Sequence, residues 1–309
     1  LEAEQIDVGS ILSWWENNAF AEDSAKIPAF LPSGSNLSLK IESGNLTWNA
    51  LECESFLTRA NVTASKFKII NSTAKTLEGL VREEGSFRPS AEGWSLNLSG
   101  SADGISLPKL FNCYDNFGQN TLRAQHIGGS LNIAGTCKMG WRNDGVWSSE
   151  SLNANLNVGI SHGRLENFEV FDDVADYLKE HRLMAPLVDP NDLRERLKNI
   201  QLDDLESPIY ISSSSTTIPN INIHSSAMDV SIEGVHSFSG MIDYTLGFSL
   251  RDLRKSREVE FGNIEEDGLG NMFFLAMDGT LDEPVYSYDR SAHTSHRRKS
   301  FRDEAGKIK

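Results

Sequence analysis

Residues 211–253, ISSSSTTIPNINIHSSAMDVSIEGVHSFSGMIDYTLGFSLRDL, constrain the fold more than any other part of the chain. Toward their end Ile242, Tyr244, Leu246, Phe248 and Leu250 fall on every second position, with Asp243, Thr245, Gly247 and Ser249 between them. Side chains alternate faces along a strand, so this spacing builds one apolar and one polar face. Met228, Val230 and Ile232 alternate with Asp229, Ser231 and Glu233 in the same way. Ile221 and Ile223 stand on the opposite parity to Met228, which places a bulge or bend near 224–227. The stretch therefore reads as three consecutive antiparallel strands. A sheet with one apolar face needs something apolar to lie on it, and what that is becomes the functional question.

The rest of the chain extends the theme. Strands are predicted at 36–42 (Leu37, Leu39 and Ile41 inward), at 45–50 (Leu46, Trp48 and Ala50) and twice within 56–70. Others are predicted at 74–84, 93–99, 126–138 and 151–161, and the glycines at 100–104 and 128–129 read as turn residues. In the last of these strands Leu152, Ala154, Leu156, Val158 and Ile160 alternate with Asn153, Asn155, Asn157 and Gly159, a row that suits a solvated outer face. Residues 271–281 are apolar on both faces and should be covered on both. Many short strands with little helix give a mainly β chain, an antiparallel meander.

Helices are few. Residues 6–18 read as a strand end entering a short helix capped by Asp7 or Ser10, with Ile11, Leu12, Trp14 and Trp15 as its stripe. Pro108 starts a helical turn carrying Leu107, Leu110 and Phe111. Residues 165–187 have helical spacing at Phe171, Val174 and Leu178. Asp189 and Pro190 open a second helix with Leu193, Leu197 and Ile200 on one face. Two helices within about 167–200 would close an open end of the sheet, covering apolar side chains that no further strand reaches.

With 39% hydrophobic and 24% charged residues, the 309-residue chain can build a sizeable core. A net charge of −15 argues against a nucleic-acid partner, which requires clustered positive charge. The exception is 289–309, with seven basic and three acidic residues: a solvated tail, or one that docks on an acidic groove edge or on lipid headgroups. No run of eighteen apolar residues occurs. The chain begins at Leu1 in mid-pattern, as expected of a fragment or a processed product. Cys53, Cys113 and Cys137 match no metal spacing; in an oxidising compartment Cys113 and Cys137 can pair, and otherwise Cys137 is a buried thiol.

No catalytic constellation emerges. His224 and His236 can face one another across a hairpin, but no third metal ligand stands at a recognisable spacing, and His293 and His296 fall in the tail. The neighbouring carboxylates Asp172/Asp173, Asp203/Asp204 and Glu265/Glu266 do not flank a substrate as glycosidase chemistry requires. There is no G-x-S-x-G elbow, phosphate-binding loop or dinucleotide fingerprint. The Asn-x-Ser/Thr triplets at Asn36, Asn45, Asn61, Asn71 and Asn97 are ordinary for so Asn- and Ser-rich a chain. Trp14, Trp15, Trp48 and Trp94 read as core residues rather than a carbohydrate platform. Neither a metal nor a cofactor is expected.

One resemblance adds to this reading. The order IPNINIHSS at 218–226, Gly234 and His236, IDY at 242–244 and a D-L ending at 252–253 is similar to the C-terminal region of AsmA-family proteins. More precisely, it resembles the large AsmA-like proteins of the Bacteroidetes group, and LPKLFNCYDNFGQNTL at 107–122, HIGGSLNIAG at 126–135 and ISHGRLENFEVFDDVADYL at 160–178 fit in the same order. It covers nearly the whole chain, and its weight lies in collinear order rather than in any catalytic motif. It implies a long curled antiparallel sheet over 1–288 with an open apolar groove, as in the TamB and chorein-type bridge relatives. It further implies a periplasmic lipid carrier between inner and outer membrane, held to the inner membrane by an upstream transmembrane helix and serving outer-membrane biogenesis. Phospholipid or another acyl lipid would be the cargo, with envelope proteins as possible partners. The groove would be lined by Leu152, Leu156, Val158, Ile160, Met228, Val230, Ile232, Ile242, Tyr244, Leu246, Phe248 and Leu250, and its end capped by the helices carrying Val174, Leu178 and Leu193. Two other readings stay open: a periplasmic scaffold whose apolar faces bury one another, and a polysaccharide-acting β-helix enzyme with carboxylates converging from different strands.

Overall fold

A computed structural model describes residues 2–7, 9–10, 30–118, 120–143, 145–168, 170–180, 190–249, 272–280 and 282–292. The expected stripe of Trp14 and Trp15, the loop at 251–270, Leu250 and the tail beyond residue 292 lie outside them. The chain is mainly β. Its strands are β1 (Glu2–Asp7), β2 (Asn36–Trp48), β3 (Leu51–Thr63), β4 (Lys66–Thr76), β5 (Gly79–Ser90), β6 (Gly93–Ser106), β7 (Ile127–Arg142) and β8 (Trp147–Glu166). After them come β9 (Asn199–Gln201), β10 (Leu205–Ser212), β11 (Ser215–Ile223), β12 (Val230–Ser237), β13 (Met241–Ser249), β14 (Met272–Thr280) and β15 (Pro284–Tyr288). Among the described residues they are interrupted by the helices α1 (Leu107–Cys113), α2 (Val170–Glu180) and α3 (Pro190–Leu197), by a 3-10 turn at Asp115–Gly118 and by helical residues at 9–10. All fifteen strands belong to one sheet that follows the chain from β1 to β15 and is not closed into a barrel. β9 lies off this path as an extra partner of β8, and β1 runs parallel to β2.

The chain divides into two compact units: residues 1–118, 129–161 and 206–216 form the first, and 119–128, 162–205 and 217–309 the second. In the first unit several strands run longer than the sequence suggests. The two strands expected at 36–42 and 45–50 are one, β2, because Ser43 is buried and donates its hydroxyl to the Asn45 carbonyl at 2.6 Å instead of ending the ladder. The strand expected at 74–84 is cut by a hairpin at Leu77 and Glu78, both with positive φ (49° and 70°). A two-residue turn of this hand normally announces itself with Asn or Gly, and this one does not. The glycines at 100–104 and 128–129 lie within β6 and β7 rather than in turns, and Gly104 (φ 70°) sits at the irregularity between Ala102 and Ile105.

Aromatic packing organises one face of this unit. Phe87 and Trp94 stack at 4.9 Å, with Phe30 and Trp141 against them, and Trp94 is 3% exposed. Trp48, expected inward, is exposed beside the β2–β3 turn, and Leu37 is exposed as well. The Cys113–Cys137 bridge is not formed; the three cysteines are free thiols, with Cys53 buried in β3. Asp7 is the capping residue at the first helical turn, accepting from the Gly9 and Ser10 amides at 2.9 and 3.3 Å. The Ser10 hydroxyl and amide hold its carboxyl below the usual range.

In the second unit β12, β13 and β14 are antiparallel with matched registers. Val230 pairs with Phe248 and Phe248 with Phe273; Ile232 pairs with Leu246 and Leu246 with Leu275; Gly234 pairs with Tyr244 and Tyr244 with Met277. Each set lies on one face, so three apolar rungs stack along it. The helices pack over one end of this face: Val174, Ala175, Leu193 and Leu197 form a single core with Phe248, Phe273 and Leu275. The helical segment is shorter than 165–187, since Leu165 belongs to β8 and pairs with Ile200 of β9, a residue expected on the second helix. Phe273, Phe274 and Leu275 are all buried, as the doubly apolar sequence of β14 requires.

Candidate functional site

Where the helices stop covering the rungs, a cavity of about 290 Å³ opens. One wall is sheet: Val230 and Ile232 from β12, Tyr244, Leu246 and Phe248 from β13, and Met277 from β14. The facing wall comes from the segment that folds back across it: Leu165 and Phe168, Val174 of α2, Leu197 of α3, and Ile200 and Leu202. Of its sixteen lining residues only Ser225 and Tyr244 carry a side-chain hydroxyl, and none carries a charge. Ser225 is already engaged, donating to the Met228 carbonyl at 2.6 Å and accepting from the Ala227 and Met228 amides. This turn is the bend expected near 224–227, and it brings Met228 onto the lining.

Local geometry sets the cavity's limits. Past Tyr244 the same face is filled by Ile242, Tyr244 and Met277, with Ile218 and Tyr286 against them. Tyr244 reaches this position because its partner is Gly234: a Cβ there would stand 2.5 Å from the Tyr244 ring. His236 meets the Tyr244 ring edge-on at 6.5 Å. Burial pushes the Tyr244 phenol up and the His236 imidazole down, so both favour the neutral form. Tyr286 is held neutral more strongly, its phenol pushed up to about 12 by burial and then by the Asp173 carboxylate.

The twelve expected groove residues divide. Met228, Val230, Ile232, Tyr244, Leu246 and Phe248 meet at the cavity, and Ile242 is buried just beyond it. Leu152, Leu156, Val158 and Ile160 alternate as expected on β8 but fall in the first unit and do not line it; Leu156 borders a shallow depression of about 170 Å³ with Val81, Leu98 and Ile133. Of the helix residues, Val174 lines the cavity and Leu193 is buried beneath α3, while the side chain of Leu178 lies outside the described residues, as does Leu250. Leu165, Phe168, Leu202 and Met277 were not expected here. Only the alternation of Ile200 and Leu202 hinted that the chain turns from helix back to strand.

His224 and His236 are not brought together. His224 bonds Asp229 at 2.9 Å, His236 stands opposite Ile242, and no group of His, Cys, Asp and Glu suited to a metal occurs among the described residues. Among the described residues no helix is long and apolar enough to cross a membrane. Comparison with known proteins returns no matching family model, no matching characterised protein and no matching solved structure.

Proposed function

We propose that this chain is a non-enzymatic acyl-lipid carrier of the periplasm, working between inner and outer membrane in outer-membrane biogenesis. The observation that supports it is the uncharged lining of the 290 Å³ cavity. An apolar cavity offers water no hydrogen bonds, so it stays dry and accepts apolar guests. At about 30 Å³ per water-sized group, it holds on the order of ten methylenes. Each contributes about 0.8 kcal/mol on leaving water, so an acyl segment is held without a specific polar contact. The headgroup stays in solvent, and no catalytic group is needed. The likeness to AsmA-family proteins supports the periplasmic setting and an upstream membrane anchor.

A scaffold acting through envelope protein contacts is favoured by a different observation: Phe248, Phe273 and Leu275 are buried beneath α2 and α3, so the protein's own side chains fill part of the face. Mass spectrometry of protein purified without detergent separates the two. A carrier retains acyl lipid, and Leu246→Trp, which fills the cavity with an indole, loses it while remaining folded. Absence of lipid from the unsubstituted chain favours the scaffold.

A further inference from the structure

The first unit carries a second depression, open and with both polar and apolar groups in its lining, of about 1100 Å³. Its floor is the face of β5, β6 and β7 opposite the aromatic cluster. Arg88 pairs with Ser95 and Ser95 with Gly140; one rung along, Asn97 pairs with Lys138. Gly140 lies near the centre, covered by the Ser151 side chain. Its amide donates to the Ser151 hydroxyl of β8 at 2.6 Å, and a Cβ there would stand 3.1 Å from that oxygen. Arg88 and Lys138 stand two strands and one rung apart, so their backbones are about 12 Å apart, and both line the depression.

Both cations are exposed. Eight lysine or arginine ion pairs occur among the described residues, and neither Arg88 nor Lys138 is in one. In a chain of net charge −15, this depression is lined by three basic residues (with Arg142) and two acidic ones, Glu92 and Glu150. We propose that it binds a phosphoester bearing free hydroxyls. The Arg88 guanidinium forks onto phosphate oxygens, Lys138 adds a point charge, and Ser95 and Asn153 take the hydroxyls. Glu92 and Glu150, with the overall negative charge, disfavour a polyanion such as nucleic acid and leave room for a single phosphate. A soluble phosphorylated polyol and a lipid headgroup share this chemistry.

Titration calorimetry on the 309-residue chain with glycerol 3-phosphate, and sedimentation with phosphatidylcholine vesicles with or without phosphatidylglycerol, test the proposal. The expected result is binding of one probe, weakened at least tenfold by Arg88→Gln with Lys138→Gln at unchanged melting temperature. Binding of glycerol 3-phosphate alone assigns a soluble ligand, and binding confined to phosphatidylglycerol vesicles assigns a headgroup. No binding of either probe at millimolar phosphate, or equal affinity in the double variant, overturns it. The apolar cavity plays no part in this test, so the carrier reading stands or falls separately.

Discussion

Gly234 and Tyr244 form the tightest residue-scale fit at the cavity. A Cβ on Gly234 would approach the Asp243 carbonyl to 2.1 Å and the Tyr244 ring to 2.5 Å, and the glycine's φ is 155°. Gly234→Ala is therefore expected to cost about 1–3 kcal/mol through overpacking, read as a lower denaturant midpoint. Tyr244→Ala in the same chain should restore little, because the backbone clash remains. Tyr286 gives a pH prediction. Its folded pKa of about 12 lies above the unfolded tyrosine value of about 10, so its contribution is complete below pH ~10 and is lost as pH rises toward about 12. Tyr286→Phe should flatten the alkaline melting curve in that window. Alternation made Tyr244 and Leu246 legible in the sequence; the need for Gly234 was not, because it depends on which residue stands across the ladder.

At the scale of elements, α2 and α3 are held by apolar contact more than by charge. Leu193 is 0% exposed within the core shared with Phe248 and Phe273, and Leu193→Ala should cost about 2–5 kcal/mol. The Arg194–Asp176 ion pair between the helices has side chains 31% and 53% exposed, so Asp176→Asn should change stability by less than about 1 kcal/mol. Hydrogen exchange over α2 and α3 checks both: faster in Leu193→Ala, near unchanged in Asp176→Asn. The strands were readable from period-2 alternation and the helix starts from Pro108 and Pro190. Less readable were boundaries set by partners: Leu165 and Ile200 suit a helix by spacing, yet pair as β8 with β9. The Leu77–Glu78 hairpin carries no turn residue to announce it.

For the whole molecule, the sequential order of an open meander follows where strands are joined by tight turns, as between β2 and β6, while the parallel β1 and the off-path β9 depend on contacts that composition does not encode. The open sheet also raises an energetic question. If it were sealed and left empty, a 290 Å³ cavity at about 24 cal/mol per Å³ would cost on the order of 7 kcal/mol, comparable with the 5–15 kcal/mol that holds a typical domain folded. An acyl guest removes that cost and should appear as ligand-dependent stability. A ligand that binds only the folded chain adds about 2.7 kcal/mol at one hundred times its dissociation constant. A fatty acid of about ten carbons, sized to the cavity, should therefore raise the melting temperature of delipidated protein by several degrees, increasing with ligand concentration. In Leu246→Trp the indole occupies the guest's space, so the variant should melt no lower than the delipidated parent and respond to no added fatty acid. A parent chain that shows no shift at any concentration below micelle formation has no use for the cavity as a lipid site, and the apolar face then serves packing alone.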